Sequence, residues 1–337
     1  MAWYNTPGYE NDTVIFSRIT LSRNLEAFPF MQRISPKQAA EIITLVGGLL
    51  ETNGFSLINF SEISPTAAAS YAEKYYATKE FAAISLPHAL LLNEPCNLSV
   101  MLGGRDHVRI CCTLPGLSLN DAAANAFKMD DLIDESVAYA FDKTLGYLCS
   151  DPLECGTAMK AYSLLFLPAL TLYDQIEPLL GKLMELGASL RPLTPGKERQ
   201  NSLYMLSCRS SLHIGEEEML SRMEDTLHRI LDSERKLCAR AREEHAAPLT
   251  DKALRARAIL RGAHLMSTEE FLNLSADVRM GISLGILQDI APDQLNTLLV
   301  EIMPSTMTLS AEHPLRTARE RELFRAAMVK QRLKEGS

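Results

Sequence analysis

The stretch SVMLGGRDHVRICCTL, Ser99–Leu114, sets a short polar loop between two apolar runs. The runs, 97–102 and 107–114, are rich in the aliphatic and β-branched residues that favour strands. The loop contains two glycines, then Arg105 and Asp106, a cation followed by an acid. The pattern predicts two antiparallel neighbouring strands whose connecting loop presents charged side chains where chemistry could take place.

Capping and periodicity predict the elements around this pair. Ser35 and Pro36 are a typical helix N-cap and first-turn residue, and Gly54 ends that helix. Asn120 or Asp121 caps a long helix, whose apolar spacing we extend to near Gly146. Further helices are predicted at 175–186 and 216–244, and strands at 55–60 and on both sides of a loop within 189–207.

We place a domain boundary at HAAPLT, 245–250, where the helical pattern breaks. The first domain, 1–245, mixes strands and helices, so we expect an α+β domain with an antiparallel sheet. The second, 246–337, contains only helical patterns and predicts an all-helical domain. Its predicted helices are 251–262, 267–274, 276–286, 292–303 and 314–334.

Composition excludes several classes of function. The net charge of −8 argues against nucleic-acid binding, which needs a basic field. No apolar run approaches the roughly 20 residues that a membrane helix needs, and the N-terminus lacks a secretion signal. The 7 cysteines form no Cys-x-x-Cys pair and the 7 histidines are scattered. We therefore expect reduced thiols in a cytoplasmic protein, and no metal site.

Four segments resemble, in order along the chain, the signatures of the phosphagen (guanidino) kinases. They are ENDTVIFSRITLSRN (10–24), SVMLGGRDHVRI (99–110), GYLCSDPLECGTAMKAYSLLFLPAL (146–170) and LSADVRMGISLGIL (274–287). The chain is most similar to the bacterial protein-arginine kinase branch, which adds a helical C-terminal domain. The resemblance implies the phosphagen-kinase catalytic fold, an antiparallel sheet flanked by helices, and transfer of phosphate from ATP to a guanidino group.

In this family, arginines hold the phosphates of Mg-ATP or ADP, because phosphoryl transfer depends on cations around the transferred group. The resemblance places Arg18, Arg109 and Arg191 at three of these positions, with Thr20 and Lys160 replacing arginines at two others. Lysine keeps the charge but loses the bidentate fork. Without the resemblance, Arg18 and Arg109 would be interpreted as ordinary cations at strand edges.

The family's catalytic carboxylates are replaced in this chain. A guanidinium is fully protonated at neutral pH, so the family uses carboxylates to orient and deprotonate it. The loop pair aligns with Gly104 and Arg105, and the reactive cysteine aligns with Asp151. A second-loop glutamate matches Glu198 only after a two-residue shift, so the register of 192–200 stays open. We regard Asp106, Asp151 and Glu198 as candidate substitutes.

The C-terminal helix carries RELFRA, 321–326, which resembles the branch's phosphoarginine-binding motif. Arg321 and Arg325 are i, i+4 neighbours that could fork a phosphate, with Glu322 facing a guanidinium. The alternative is a solvated, charged helix face.

These residues lead to three hypotheses. The first is a catalytically impaired relative of the protein-arginine kinases that binds nucleotide, phosphoarginine or both in protein quality control. The second is an active kinase with substituted carboxylates, and the third is a purely structural subunit. The expected partners are protein substrates or phosphoarginine-marked proteins. We expect binding to neither nucleic acid nor membranes, and the sequence leaves open whether the chain forms a homodimer.

Overall fold

The computed structural model describes residues 2–196, 201–209 and 214–334. Most of its strands form one eight-stranded antiparallel sheet. The strands are β1 Val14–Arg23, β2 Ser56–Asn59, β3 Ala89–Leu92, β4 Leu98–Leu102, β5 Val108–Pro115, β6 Phe141–Asp142, β7 Gly146–Tyr147, β8 Met159–Phe166, β9 Ala188–Pro192 and β10 Leu203–Arg209. The sheet order is β2-β3-β4-β5-β1-β8-β10-β9, while β6 and β7 form a separate hairpin.

Helices cover both faces of the sheet and make up the C-terminal part. They are α1 Pro36–Thr52, α2 Pro65–Glu73, α3 Leu119–Asp134, α4 Pro168–Leu172, α5 Ile176–Glu185, α6 Glu216–Glu244, α7 Ala246–Gly262, α8 Thr268–Ser283, α9 Pro292–Glu301, α10 Pro304–Ser310 and α11 Ala318–Lys334. The predicted α+β architecture, with an antiparallel sheet flanked and then followed by helices, is confirmed.

The central strand β1 divides the molecule into two sides, because successive side chains of a strand point to opposite faces. Ile19 and Leu21 point to the side covered by α1, α3 and α6, where they join a large buried cluster. Phe16 points to the other side, where it packs in a cluster with residues of α7, α8 and α9. Arg18 and Thr20 alternate with Ile19 and Leu21, so they lie on the same side as the C-terminal helices.

The C-terminal helices are attached to this second side by polar contacts as well. Glu73, at the end of α2, accepts hydrogen bonds from the backbone N–H groups of Ser305 (3.0 Å) and Thr306 (2.7 Å). The Thr306 hydroxyl also donates to Glu73, at 2.8 Å. A carboxylate at a helix N-terminus satisfies donors that have no partner within the helix. Glu73 therefore docks α10 onto α2.

Several sequence predictions about element boundaries are wrong for reasons of tertiary structure. The helix that starts near Asn120 ends at Asp134, well before Gly146. Beyond it, Ala140 donates its backbone N–H to the Asn24 carbonyl, which draws this segment into an extended path beside the end of β1. The predicted helices 267–274 and 276–286 are one continuous helix, α8.

HAAPLT does not form a linker, since α7 starts at Ala246 and only His245 separates it from α6. Pro248 lies in the first turn of α7, where backbone N–H groups have no partner within the helix, so proline is tolerated there. The structure also adds α10, which the sequence pattern did not predict.

Candidate active site

A row of polar and cationic side chains crosses the second side of the sheet. In the sheet register, Thr20 of β1 lies opposite Lys160 of β8, and Ser22 of β1 lies opposite Arg109 of β5. Residues that face each other across antiparallel strands point to the same side. The predicted phosphate ligands Arg18, Thr20, Arg109 and Lys160 therefore share one face, although the chain separates them widely.

Arg18 contacts neighbouring side chains through only part of its guanidinium group, as far as the described part of the chain shows. Its Nε donates to the Thr113 hydroxyl at 2.8 Å, and its guanidinium carbon lies 5.7 Å from the Tyr75 ring centroid. Its buried Nη2 has no hydrogen-bond partner among the described residues. Leaving a buried donor unsatisfied costs about 1–3 kcal/mol, and an anion at this face would remove that cost. The arrangement fits a phosphate oxygen.

A pocket of about 470 Å³ opens beside this row, in front of the loop that joins β4 and β5. Its charged lining comes from Arg105, Arg109, Lys160 and Glu80, and its apolar lining includes Phe81, Ile84 and Met101. The loop itself is closed by a hydrogen bond from the Gly103 N–H to the His107 carbonyl, 2.9 Å long. Gly103 adopts a φ of +81°, a conformation that favours glycine.

Arg105 projects from this loop to two carboxylates of the turn Pro152–Glu154 and its N-cap. Its Nη2 lies 2.6 Å from Asp151 Oδ2, and its Nη1 lies 3.2 Å from Glu154 Oε1. The same Glu154 oxygen lies 2.7 Å from Lys160 Nζ. The pKa of Asp151 is lowered by the hydrogen bond from the Leu153 N–H and, further, by the Arg105 guanidinium. Asp151 is therefore ionised at neutral pH.

Asp106, the first candidate substitute, is buried and already bound. Its Oδ1 accepts hydrogen bonds from Asn24 Nδ2 and from the Ser150 N–H, both at 2.8 Å. Its Oδ2 has no hydrogen-bond partner among the described residues and lies 4.0 Å from Arg109 Nη2. Asp106 thus holds the segment around Ser150 in place and faces Arg109.

His107 is also held by structural contacts. Its Nδ1 accepts the Leu25 N–H and its Nε2 donates to the Pro29 carbonyl, both at 2.9 Å. Burial lowers the pKa of His107, so the ring is neutral at pH 7. With both ring nitrogens bonded, His107 has no free position for proton transfer.

The structure does not bring Arg191 to this row of cations. Arg191 is exposed on the edge strand β9, three strands away from β1 in the sheet order. Three strand spacings put its backbone about 14 Å from β1. Glu198 lies outside the described residues.

The comparisons with known proteins match almost the whole chain. Residues 39–237 match the family "ATP:guanido phosphotransferase, C-terminal catalytic domain", and residues 246–337 match "Protein-arginine kinase McsB C-terminal domain". The chain belongs to the ATP:guanido phosphotransferase family. The predicted kinase and transferase class is thereby confirmed at the level of the family, together with its protein-arginine kinase branch.

Curated relatives and solved structures agree with this assignment. A protein-arginine kinase of Clostridium tetani is 30% identical over 98% of both chains, and one of Moorella thermoacetica is 32% identical over 98% of this chain and 97% of its own. A lombricine kinase structure matches with a TM-score of 0.59 at 16% identity, covering 68% of each chain. A duplicated taurocyamine kinase from Schistosoma mansoni matches with a TM-score of 0.58 at 16% identity, over 69% of this chain and 34% of that one. These two structures support the fold alone.

Glu154, which contacts the pocket residues Arg105 and Lys160, is a site residue that sequence reasoning missed. Within the family motif it lies three residues after Asp151, which caps the turn by accepting the Leu153 N–H at 3.0 Å. Residues three positions apart in a helical turn lie on the same side of it, so Asp151 and Glu154 point the same way. This i, i+3 spacing is the sequence signal that could have identified Glu154.

The predicted phosphoarginine motif lies on α11, where its two arginines have different surroundings. Arg325 is only 3% exposed, and it donates from Nε to the Ile302 carbonyl (3.1 Å) and from Nη1 to the Met266 carbonyl (2.9 Å). Arg321 donates to the Leu315 carbonyl at 3.2 Å. Glu322 lies 3.9 Å from Arg319. The two guanidinium groups therefore do not form a shared fork here.

The Cys149 thiol is not activated. Cys149 donates its backbone N–H to Cys155 Sγ at 3.4 Å, and burial raises the pKa of the Cys149 thiol to about 12.

No group of metal-binding side chains occurs in the described ranges 2–196, 201–209 and 214–334. In the same ranges, every helix is too short or too polar to cross a bilayer.

Proposed function

We propose that this chain binds ATP or ADP through its row of cations and engages arginine-bearing proteins, but transfers phosphate to arginine very slowly. The observation that carries this proposal is Arg105, a cation that stands where the family places a catalytic carboxylate and pairs with Asp151 and Glu154. Orientation and general-base catalysis contribute roughly 10²–10⁴-fold to a rate, so their loss predicts weak turnover.

For the nucleotide, Arg18, Arg109 and Lys160 would hold the phosphates of Mg-ATP. Cations at these oxygens neutralise the charge that phosphoryl transfer develops, which is the chemistry that the family needs from them. Arg18 Nη2 and the Lys160 ammonium face the same side of the sheet, and Asp106 orients Arg109 at 4.0 Å. Lys160 supplies a point charge in place of a fork, so we expect weaker nucleotide binding than five arginines would give.

For the acceptor, the protonated guanidinium of a substrate arginine needs a free carboxylate. Asp106 is buried with one oxygen doubly hydrogen-bonded, which makes it a positioning residue rather than a base. Asp151 and Glu154 both pair with Arg105, and Glu80 is a further acid in the lining of the pocket.

A second candidate function is an active protein-arginine kinase in which Asp151 and Glu154 replace the missing loop carboxylates. The observation in its favour is that these two acids already hold a guanidinium, that of Arg105, beside Lys160. Product formation distinguishes the two candidates.

We further propose that the chain works as two units, 1–245 for nucleotide and 246–337 for recognition of phosphoarginine-marked proteins in cytoplasmic quality control. The two parts match separate models, the ATP:guanido phosphotransferase catalytic domain for 39–237 and the protein-arginine kinase C-terminal domain for 246–337, which supports this division. Arg321 is the first candidate for the phosphate contact, since Arg325 already donates to two carbonyls.

Titration of ADP into the full chain tests the nucleotide site. We expect Arg109→Gln and Lys160→Gln each to weaken binding about 10- to 100-fold, the value of one charge-assisted contact. Arg229→Gln, an exposed residue of α6, is the control and should bind like the wild type. If the wild type does not bind ADP, or all variants bind equally, the proposal fails.

A further inference from the structure

We propose that Asp151 and Glu154 form a guanidinium-binding site that the chain's own Arg105 fills, and that an external arginine side chain binds there only when Arg105 leaves. This inference rests on the proposed function. It concerns the acceptor, whereas the ADP titration concerns the nucleotide.

The geometry around Arg105 is that of a bound guanidinium. Its two terminal nitrogens reach separate carboxylates, Asp151 at 2.6 Å and Glu154 at 3.2 Å. Both acids come from one capped turn, which fixes their spacing independently of the loop that carries Arg105. A pair of carboxylates on one capped turn can accept the same hydrogen bonds from another guanidinium group.

The position of this pair relative to the cations points to an acceptor site. Glu154 Oε1 contacts both Arg105 Nη1 and Lys160 Nζ. This one oxygen therefore bridges the guanidinium group and the ammonium group. Lys160 and Arg109 line the same pocket of about 470 Å³. Independently of this pair, Asp106 next to Arg105 is 98% buried. Its Oδ2, 4.0 Å from Arg109, has no hydrogen bond to any residue that the structure describes.

The contact of Arg105 is suited to being displaced. Its side chain is 52% exposed and that of Asp151 is 26% exposed, so solvent weakens this ion pair. Glu154 is 8% exposed, but it keeps its ion pair with Lys160 when Arg105 leaves. Arg105 projects from a loop that begins with two glycines, Gly103 and Gly104, and a side chain at Gly104 would meet its nearest neighbour at an ordinary 3.4 Å. A site that its own chain occupies most of the time shows a reduced apparent affinity for outside ligands. We expect Arg105 to weaken the binding of an external guanidinium about five- to tenfold.

The test is a titration of the full chain with N-acetylarginine amide, without nucleotide, followed by NMR or calorimetry. Arg105→Gln should bind this probe five- to tenfold more tightly than the wild type. The control is Arg222→Gln, which removes another exposed arginine paired with a glutamate, Glu218, and should bind like the wild type.

A triple variant tests the carboxylates. Adding Asp151→Asn and Glu154→Gln to Arg105→Gln should abolish the gain, with a thermal melt confirming that the variant is folded. Unchanged affinity in Arg105→Gln, or tight binding that survives loss of both carboxylates, would overturn the proposal. Because no nucleotide is present, the result is independent of ADP binding, so the two proposals can fail separately.

Discussion

Replacing Arg23 by methionine is expected to destabilise the fold strongly. Arg23 is 1% exposed at the end of β1, and its Nε and Nη2 donate to Asp130 of α3 at 3.1 and 2.6 Å. Its Nη1 donates to the Thr157 carbonyl at 3.1 Å, and its guanidinium lies 3.5 Å from the Tyr147 ring centroid. Removing one partner of a buried ion pair costs about 3–5 kcal/mol, since the other charge stays buried without compensation.

The pH dependence of this cost follows from Asp130. Burial raises the pKa of Asp130 and Arg23 opposes that rise, so in Arg23→Met the pKa should rise further. When the pKa of a carboxyl group is higher in the folded state, the free energy of unfolding falls as the pH rises from the unfolded-state pKa to the folded-state pKa. The variant should therefore lie closer to the wild type at pH 5 than at pH 7.

Urea unfolding followed by the fluorescence of Trp3, the single tryptophan, measures these differences. The matched control is Arg240→Met, which breaks an exposed pair with Glu244 and should cost at most about 1 kcal/mol. Adding Asp130→Asn to Arg23→Met should restore at least about 1 kcal/mol. A cost below about 1 kcal/mol for Arg23→Met, or no recovery in the double variant, would refute the reasoning.

Three further predictions concern other parts of the molecule. Burial raises the pKa of Glu234 to about 7, so its contribution to stability should fall as pH rises from about 4.5 towards 7. The urea midpoint of Glu234→Gln should decline less steeply with rising pH than that of the wild type, and equal slopes for the two proteins would contradict this. Gly103→Ala should cost about 2 kcal/mol in thermal unfolding, because φ is +81° and the new Cβ would lie 2.8 Å from a carbonyl oxygen. Gly104→Ala, which has room for a Cβ, should cost less than about 1 kcal/mol, and equal costs would show that the loop is not constrained. Arg325→Met should lower the free energy of unfolding by about 2–4 kcal/mol, since two buried carbonyls lose their charged donor. Arg321→Gln should instead weaken the binding of a phosphoarginine peptide and leave unfolding almost unchanged. If both variants affect only unfolding, the motif has a structural role alone.

Local signals predicted the elements that local chemistry determines. The loop GGRD joins antiparallel neighbours, because β4 and β5 pair with Leu102 opposite Val108. Ser35 caps α1 as its sequence predicts, and α6 covers 216–244. In these segments, glycines, a capping box and helical periodicity are sufficient.

Tertiary contacts decided the rest. No local pattern could show that Thr20 pairs with Lys160, which lies 140 positions away and places the cations on one face. The helix from Asn120 looked longer because the apolar residues after Asp134 continue its spacing, yet Tyr139 is buried beside the end of β1 instead. Arg325 lies in a segment charged all round, so its burial against carbonyls of Ile302 and Met266 is visible only once the helices are packed.

The most direct test is a search for phosphoarginine. The purified full chain would be incubated with Mg-ATP and an arginine-rich protein, and the product would be read by mass spectrometry at neutral pH, because phosphoarginine is labile in acid. A variant with Gly104→Glu and Arg105→Glu, which restores both loop carboxylates, would be measured alongside. We predict less than one phosphoarginine per wild-type molecule and more product from the variant. Several turnovers by the wild type would contradict impaired catalysis and favour the second candidate function, an active protein-arginine kinase.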